Sequence, residues 1–250
     1  MFLGSHVLTA DNAIKTDIDD VARKAQLVRH FVPYEIQDAV ARVVDATYGD
    51  YTVEPEISLF GKRVPQPRDV QFRSDESKGY FYSGQVAESQ PLSADMRLVI
   101  AWANELVGAE YNGILINRYK DGTKSVGAHA DSEAGLDPRA GVLAISHGAT
   151  RKFRIRNKLT KQLFQDVPAR QGEAIQMKGA FQSVFSHEIP KEASVPGARV
   201  SLTFRRHDIA AERKLWDQHL RKLAAKKRAE DAQKARQQEV HADLAKVQAE

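Results

Sequence analysis

The sequence predicts an α+β protein with a mainly β core, an antiparallel sandwich or jelly roll with flanking N-terminal helices and a long C-terminal helix. From Tyr111 to His207, short β-prone segments alternate with turn residues and include no helical pattern, which is typical of antiparallel β domains. Upstream of this region, apolar residues recur at helical spacing. Downstream, the tail from about Ala210 has no Gly or Pro, so we expect one long, solvated helix.

Two helices are predicted in the first half of the chain. Residues 1–50 are predicted to form a helical extension, in which apolar side chains share one face of a segment that ends at Gly49: Ile36, Val40, Val43 and Val44. The second helix is predicted between Ser93, a favourable N-cap residue, and Gly108, a favourable C-cap residue. Between them, residues 51–90 mix short β-prone pieces with Gly and Pro, which predicts hairpins and a mobile loop outside the core.

The second half of the chain contains most of the predicted strands. Examples are the segments GILINRY, GVLAISHG, RKFRIRNK, EAIQMKG and ARVSLTFRRH. No internal repeat and no Pro-, Gly- or Ser-rich linker interrupts this region. We therefore expect an extension over residues 1–50, one domain over residues 51–207 and a charged helix over residues 208–250.

Composition and charge exclude several classes of protein. The chain has no Cys, so disulfide scaffolds, zinc fingers and iron–sulfur sites are excluded, and any metal must be held by His and carboxylate side chains. No apolar run approaches the roughly 20 residues of a membrane span, and no signal peptide is recognisable, so we expect an intracellular protein, cytoplasmic or nuclear. The net charge of +4 lies entirely in residues 205–250, and residues 151–178 are also rich in Lys and Arg, which indicates a polyanionic partner.

A candidate metal site lies in the segment GAHADSE. His129 and Asp131 are two residues apart in a stretch that looks extended, so their side chains should point the same way, about 6–7 Å apart. His187, in FSHEIP, is available as a third ligand. Two imidazoles and one carboxylate are the ligand set of non-haem Fe(II) oxygenases. The alternative is that the His-x-Asp pair makes only a surface hydrogen bond.

A second candidate site lies on the segment ARVSLTFRRH. Its alternation predicts one apolar face and one polar face, with Arg199 and Arg205 at the two ends of the polar face. If that face is buried, each guanidinium needs an anionic partner, and a dicarboxylate co-substrate would provide one. Asn117 and Tyr119 share a face of GILINRY and could donate to the same anion. The alternative is an outer strand whose arginines are solvated.

Taken together, these motifs resemble the AlkB-type family of Fe(II)- and 2-oxoglutarate-dependent dioxygenases. The resemblance covers Ile57 to His207 and rests on motifs in a fixed order: Asn-Arg-Tyr at 117–119, His-x-Asp at 129–131, SHGATRKF at 146–153, His187, and Arg-x5-Arg at 199–205. It implies a double-stranded β-helix of the jelly-roll kind. It also implies that the enzyme uses Fe(II), 2-oxoglutarate and O₂, with ascorbate as a reductant in vitro.

The resemblance assigns roles to individual residues. His129, Asp131 and His187 would be the catalytic iron ligands. Arg199 and Tyr119 would bind the distal carboxylate of 2-oxoglutarate, and Arg205 and Asn117 would lie near the end that chelates the metal. Ser201 occupies a position where the family usually has Asn. This change removes a donor but keeps a hydroxyl, so we expect weaker co-substrate binding.

The implied reaction is oxidative demethylation of 1-methyladenine and 3-methylcytosine in DNA, giving the repaired base, formaldehyde, succinate and CO₂. Glu133 would contact the exocyclic amine of the base. Tyr80 and Tyr82 would belong to a nucleotide-recognition lid at about residues 55–90, with Tyr82 as the stacking partner. Without the resemblance, these tyrosines would be assigned to a half-buried hairpin. The alternative function is a dioxygenase acting on RNA or on protein side chains, because the fold and iron site would be the same.

The segment LFGKRVPQPRDVQF resembles the stretch that carries an apolar finger in duplex-acting members. Phe60 would fill the gap left by a flipped base, and Arg68 and the basic strands from Arg151 to Lys161 would follow phosphates. The alternative for Phe60 is a small satellite core. We expect a monomer that binds nucleic acid, single-stranded or duplex, and no membrane. The tail could be a phosphate-binding helix, a coiled-coil partner or a solvated extension, although its apolar positions are sparse for a coiled coil.

Overall fold

The computed structural model describes residues 7–9, 24–59, 62–82 and 85–247. Two compact units are present, one over Met1–Asp208 and one over Ile209–Glu250. The first unit contains all of the β-sheets, and the second is a single helix. Each is described separately.

A nine-stranded sheet forms the centre of the first unit, in the order β1-β2-β13-β10-β15-β8-β5-β7-β6. Its strands are β1 (Val7–Thr9), β2 (Ala25–Phe31), β5 (Asp69–Arg73), β6 (Gly79–Tyr82), β7 (Gln85–Gln90), β8 (Gly113–Tyr119), β10 (Val142–Gly148), β13 (Glu173–Gly179) and β15 (Arg199–Arg205). Neighbouring strands are antiparallel, except β5 and β7, which are parallel. The strands that resemble the family motifs, β8 and β15, therefore lie side by side near the middle of the sheet.

A four-stranded sheet in the order β12-β11-β14-β9 packs against one face of the large sheet. Its strands are β9 (Val126–His129), β11 (Arg151–Asn157), β12 (Leu163–Ala169) and β14 (Phe185–Ile189). Phe153 and Ile155 of this sheet share a buried cluster with Tyr119 and Met177 of the large sheet. Two antiparallel sheets that pack face to face confirm the predicted jelly roll.

Helices α1 (Tyr34–Ala46) and α2 (Ala94–Val107) cover the other face of the large sheet. The α2 helix begins at Ser93, whose side chain accepts a hydrogen bond from the Met96 amide, and ends at Gly108 with φ of 64°. Both caps were predicted, and a left-handed residue after a helix is most readily supplied by Gly. The apolar side of β15 packs here through Val200, Leu202 and Phe204. Its polar side therefore faces the space between the two sheets.

The prediction of a helical extension over residues 1–50 is wrong in part. Within the described residues, Tyr34–Ala46 is helical, but Ala25–Phe31 is a strand that pairs with β13. Buried α1 residues such as Ile36 and Val40 belong to the main core, so this segment is integral to the first unit. The strand was missed because its partner is about 145 residues away in sequence, and only the non-local ladder stabilises it.

The prediction that residues 51–90 lie outside the core is also wrong in part. The expected hairpin is present as β3 (Glu56–Leu59) and β4 (Lys62–Pro65). However, Asp69–Arg73 is buried along its whole length and pairs with β8 in the large sheet. The segment does alternate polar and apolar residues, but its polar side chains are buried because they have partners in the fold: Asp69 pairs with Arg118, and Arg73 pairs with Asp50. The sequence shows the alternation but not these partners.

The second unit is the helix α4 (Ile209–Val247), 39 residues long, as predicted for the tail. Side chains from residue 221 to residue 238 are all exposed. Among the described helices, none is both long and apolar enough to cross a membrane. The short α3 (Phe181–Val184) and a 3₁₀ turn (Pro138–Ala140) complete the helices of the described chain.

Candidate functional site

Three predicted ligands meet between the two sheets. His129 ends β9 and is directly opposite His187 of β14 in the ladder, with ring centroids 4.3 Å apart. Asp131 follows just after β9, and its carboxylate oxygens lie 3.9 Å from His129 Nε2 and 3.7 Å from His187 Nε2. One ligand atom from each residue lies within 4.8 Å of the others. Only the pairing of β14 with β9 brings His187 next to His129 and Asp131, which are more than 50 residues away in sequence.

The protonation states of the three residues suit a metal. Burial lowers the pKa of His187 to about 3 and also lowers the pKa of His129, so both imidazoles are neutral near pH 7. Burial alone would raise the pKa of Asp131, but Arg205 and then the two histidines outweigh it, and the pKa lies well below its usual range. Neutral imidazoles and an ionised carboxylate are the forms that bind a divalent metal.

The orientation of the ligands leaves one atom of each free. The Gly127 carbonyl accepts a hydrogen bond from His129 Nδ1 at 2.8 Å, which leaves Nε2 as the ligand atom. Arg205 donates to Asp131 Oδ1 at 2.6 Å, whereas the buried Oδ2 has no hydrogen-bond partner within the described chain. The His187 ring stacks on Phe153 with centroids 5.0 Å apart and an angle of 15°. Two nitrogens and one oxygen held in this way fit a ferrous ion.

Gln182 is a positioning residue that the sequence did not reveal. Its Oε1 accepts a hydrogen bond from the Asp131 amide at 2.9 Å. Because β9 ends at His129, this amide lies beyond the strand, and a side chain takes the place of a ladder partner. Gln182 is five residues before His187, so it links the two segments that carry the ligands. No local pattern identifies a side chain that bonds to a backbone group 51 residues away.

A cavity of about 440 Å³ contains the three ligands and extends to the polar face of β15. At its far end, Arg199 is buried and pairs across the ladder with Tyr119, whose ring centroid is 5.5 Å from the guanidinium carbon. One Arg199 nitrogen donates to the Ser146 hydroxyl at 3.0 Å, but Nε and Nη1 have no partner among the residues described. Burial lowers the pKa of this guanidinium. A buried cation with two unused donors is suited to a carboxylate.

The other residues predicted to bind the co-substrate line the same cavity. Asn117 and Ser201 are opposite each other in the ladder between β8 and β15, and both are buried. Asn117 Oδ1 lacks a hydrogen-bond partner in the described part of the chain. Arg205 lies nearest the metal ligands, because it contacts Asp131. Its buried Nε has no partner of its own within the same residues.

The tyrosines predicted to form the lid lie on β6 and line the cavity. Tyr80 and Tyr82 stack with ring centroids 5.3 Å apart and an angle of 20°. The Tyr82 hydroxyl accepts from Gln66 at 3.1 Å. Glu133 lies close enough to Tyr80 for each group to shift the pKa of the other. Burial and then Asp131 raise the pKa of Glu133, and its buried Oε2 has no hydrogen-bond partner that the structure describes. A carboxylate with a free oxygen at this position can accept a hydrogen bond from a donor group of a ligand.

Arg68 lies in the wall of the cavity, not on an open cationic surface. It is close enough to contribute to the lowered pKa values of His129 and His187. Its Nε is buried without a partner in the described chain. Phe60, the predicted finger, lies outside the described residues, so its placement stays a prediction.

The basic strand β11 is not the free phosphate track that its composition suggested. Arg151 is buried and donates to Glu192 at 3.2 Å and to the carbonyl of Asp121 at 3.0 Å. Arg154 pairs with Asp166, and Arg156 pairs with Glu188. The sequence showed the excess of cations but not the partners, which come from neighbouring strands and loops.

Comparisons with known proteins agree with the geometry of the site. Residues 24–205 match the family described as the 2OG-Fe(II) oxygenase superfamily. The chain is 29% identical over 157 residues to human "DNA oxidative demethylase ALKBH2", with 60% of each chain covered. It is 28% identical over 180 residues to the Arabidopsis thaliana protein of the same name, covering 60% of this chain and 56% of that one.

A third relative is the rat "Alpha-ketoglutarate-dependent dioxygenase alkB homolog 3". It is 32% identical over 154 residues, which cover 56% of this chain and 50% of the rat protein. The chain thus spans about half to two thirds of the length of these curated relatives. The family match starts at residue 24, which includes β2 and α1 in the family domain. The chain belongs to the 2OG-Fe(II) oxygenase superfamily as an AlkB-type member, with His129, Asp131 and His187 as its iron site and 2-oxoglutarate and O₂ as the co-substrates that the family implies.

Proposed function

We propose that the protein is a dioxygenase that removes methyl groups from N-alkylated bases in DNA, with 1-methyladenine and 3-methylcytosine as substrates. The products are the repaired base, formaldehyde, succinate and CO₂. One observation carries the proposal: a single cavity joins the iron ligands, a buried cationic end and an aromatic subsite with a free carboxylate oxygen. Relatives named as DNA oxidative demethylases support the choice of DNA.

Iron with bound 2-oxoglutarate and O₂ supplies the oxidising chemistry that places a hydroxyl group on the methyl carbon. His129, Asp131 and His187 would hold the metal through two imidazole nitrogens and one carboxylate oxygen. Arg205 donates to Asp131 Oδ1, so Oδ2 would be the oxygen that binds the metal. The hydroxymethyl product on the base nitrogen loses formaldehyde when its C–N bond breaks and the hydroxyl proton leaves.

The cationic end of the cavity selects and orients the co-substrate. Either unused donor of Arg199, Nε or Nη1, would form a two-point contact with the distal carboxylate of 2-oxoglutarate together with Nη2, and the Tyr119 hydroxyl would donate to the same group. Asn117 and Arg205 would lie toward the end that chelates the metal. Ser201 offers only a hydroxyl where Asn would offer an amide donor, so weaker co-substrate binding stays our prediction.

The aromatic subsite suits a base that has left the helical stack. A methyl group on the Watson–Crick edge blocks pairing, so such a base is cheaper to flip out by a few kcal/mol. Tyr82 would stack on the base, and Glu133 would accept a hydrogen bond from its exocyclic amine. Tyr80 lines the same cavity beside Glu133. A bound base would also exclude water from the iron side of the cavity.

The test is formaldehyde release from oligonucleotides that carry 1-methyladenine, with Fe(II), 2-oxoglutarate and ascorbate. Matched substrates are duplex DNA, single-stranded DNA, methylated RNA and a methylated peptide. We expect release from DNA that requires both Fe(II) and 2-oxoglutarate. Succinate formation without release from DNA would overturn the substrate assignment, and faster turnover of RNA or peptide would establish the alternative function.

A further inference from the structure

The helix α4 carries a concentrated positive charge that the proposed reaction does not use. Residues 213–228 contain seven Lys and Arg residues and one acidic residue, Asp217. The rest of the tail, residues 229–250, contains three basic and five acidic residues. The positive charge is therefore confined to the first half of the helix.

These cations are exposed and mostly without acidic partners. All seven basic side chains in residues 213–228 are exposed. Lys226 pairs with Glu230 at 3.7 Å, and it is the one member of the set with an ion pair inside the described region. Six uncompensated charges over about 24 Å of helix create a strong local field.

Three of the cations recur at intervals of seven residues. Each of Lys214, Arg221 and Arg228 is about two helical turns, or about 10.5 Å along the axis, from the next one. The three side chains therefore lie on one face of the helix. A row of guanidinium and ammonium groups on one side of a helix can contact a row of phosphates.

The apolar residues of α4 do not favour a membrane or a coiled-coil partner. Trp216, Leu220 and Leu223 form a short stripe, but Lys227 and Glu230 occupy the positions that would continue it. A helix that lies in a membrane surface needs an apolar face along its length, and a coiled coil needs a sustained apolar seam. The charge, by contrast, continues past the stripe to Arg228.

We propose that residues 213–228 form a phosphate-binding arm, whose face of Lys214, Arg221 and Arg228 contacts the sugar-phosphate backbone of the DNA. This inference rests on the proposed function, because it takes nucleic acid as the partner. The arm contributes affinity that is independent of sequence and of the lesion. It takes no part in the reaction, so it should not affect turnover of a methylated nucleoside, which has no phosphate for the arm to contact.

The test is binding of the full-length protein to a long, unmodified DNA duplex over a series of salt concentrations. The test variant combines Lys214→Gln, Arg221→Gln and Arg228→Gln. The control variant combines Lys234→Gln, Arg236→Gln and Lys246→Gln, which removes the same charge from the acidic half of the helix. Gln has a helix propensity similar to those of Lys and Arg, and circular dichroism checks that the helix is kept.

We expect the test variant to bind DNA more weakly and to flatten the slope of log K against log salt by about 2 to 3, or about 0.9 per lost phosphate contact. The control variant should keep the native slope. Demethylation of a methylated nucleoside, which carries no phosphate, should be unchanged in both variants. Because binding is measured on unmodified DNA, failure of the demethylation assay would count against the proposed function and not against the arm.

Three results would overturn the proposal. An unchanged slope in the test variant would show that these residues do not contact phosphates. Equal losses in the test and control variants would show an effect of net charge alone. Binding to vesicles of phosphatidylserine and phosphatidylcholine without binding to DNA would identify a membrane surface as the partner.

Discussion

Replacing Gln182 with Ala should weaken metal binding although Gln182 is not a metal ligand. The substitution removes the acceptor that holds the Asp131 amide at 2.9 Å, just past the end of β9. If the segment relaxes so that water pairs with this amide, the carboxylate moves away from the two imidazoles. Metal binding must then restore the original position.

The size of the effect follows from the cost of leaving the amide unpaired. A buried donor without a partner costs about 1–3 kcal/mol, and about 1–2 kcal/mol of this would oppose metal binding. Since 1.4 kcal/mol corresponds to a factor of ten, we expect affinity to fall about 5- to 30-fold. This range agrees with the roughly 10- to 100-fold losses that follow removal of groups that support metal ligands.

The assay is calorimetric titration of the protein with Mn²⁺, which binds the same kinds of ligand and does not start turnover. Gln182→Glu keeps an acceptor oxygen at the same distance along the side chain, so it should restore most of the affinity. Gln162→Ala, at an exposed site next to β12, is the control for loss of a glutamine. Native affinity in Gln182→Ala, or a Glu variant as weak as the Ala variant, would refute the positioning role.

Four further predictions concern the site, the finger and the fold. His187→Ala should abolish metal binding and turnover in a folded protein. Asp131→Ala should also lower the free energy of unfolding by about 3–5 kcal/mol, because it leaves the buried guanidinium of Arg205 unpaired. Denaturant titration measures this difference, and equal stabilities of the two variants would contradict the prediction. Arg199→Lys keeps the charge but loses the two-point contact, so the KM for 2-oxoglutarate should rise about tenfold or more with a smaller change in kcat, and an unchanged KM would argue against carboxylate binding there. Phe60→Ala should reduce turnover of duplex DNA more than that of single strands, and equal losses would remove the finger assignment. Gly108→Ala should cost about 1 kcal/mol, seen as a Tm lower by about 2–4 °C, because its φ is 64°, and an unchanged Tm would contradict the strain.

Local patterns in the sequence were sufficient to predict several elements. Ser93 and Gly108 mark the two ends of α2, and the alternation in Arg199–Arg205 separates the core face of β15 from its cavity face. The three iron ligands were found because their residue types are distinctive and the motifs around them occur in family order. These features depend on residues near one another in the chain or on a known arrangement of motifs.

Features that depend on distant partners were missed. The strand Ala25–Phe31 exists because β13 pairs with it, and its own residues do not distinguish it from a helix. Arg151 was counted as a surface cation, although carbonyl groups from two loops surround it. Gln182 was missed for the same reason, since its partner is the backbone amide of Asp131, which lies just past β9 and 51 residues away in sequence.

Arg205 is shared between two subsites. It donates to Asp131, and its guanidinium carbon lies 5.0 Å from the centre of the Tyr80 ring. If a ligand that enters the aromatic subsite shifts the Tyr80 ring, the surroundings of the Arg205 guanidinium change. The surroundings of the Asp131 carboxylate then change as well, because Arg205 donates to it. Occupancy of one subsite then alters affinity at the other, and thermodynamic linkage requires the effect to be equal in both directions. The metal-loaded protein would therefore discriminate among bases differently from the metal-free protein, and one arginine would make the two binding events cooperative.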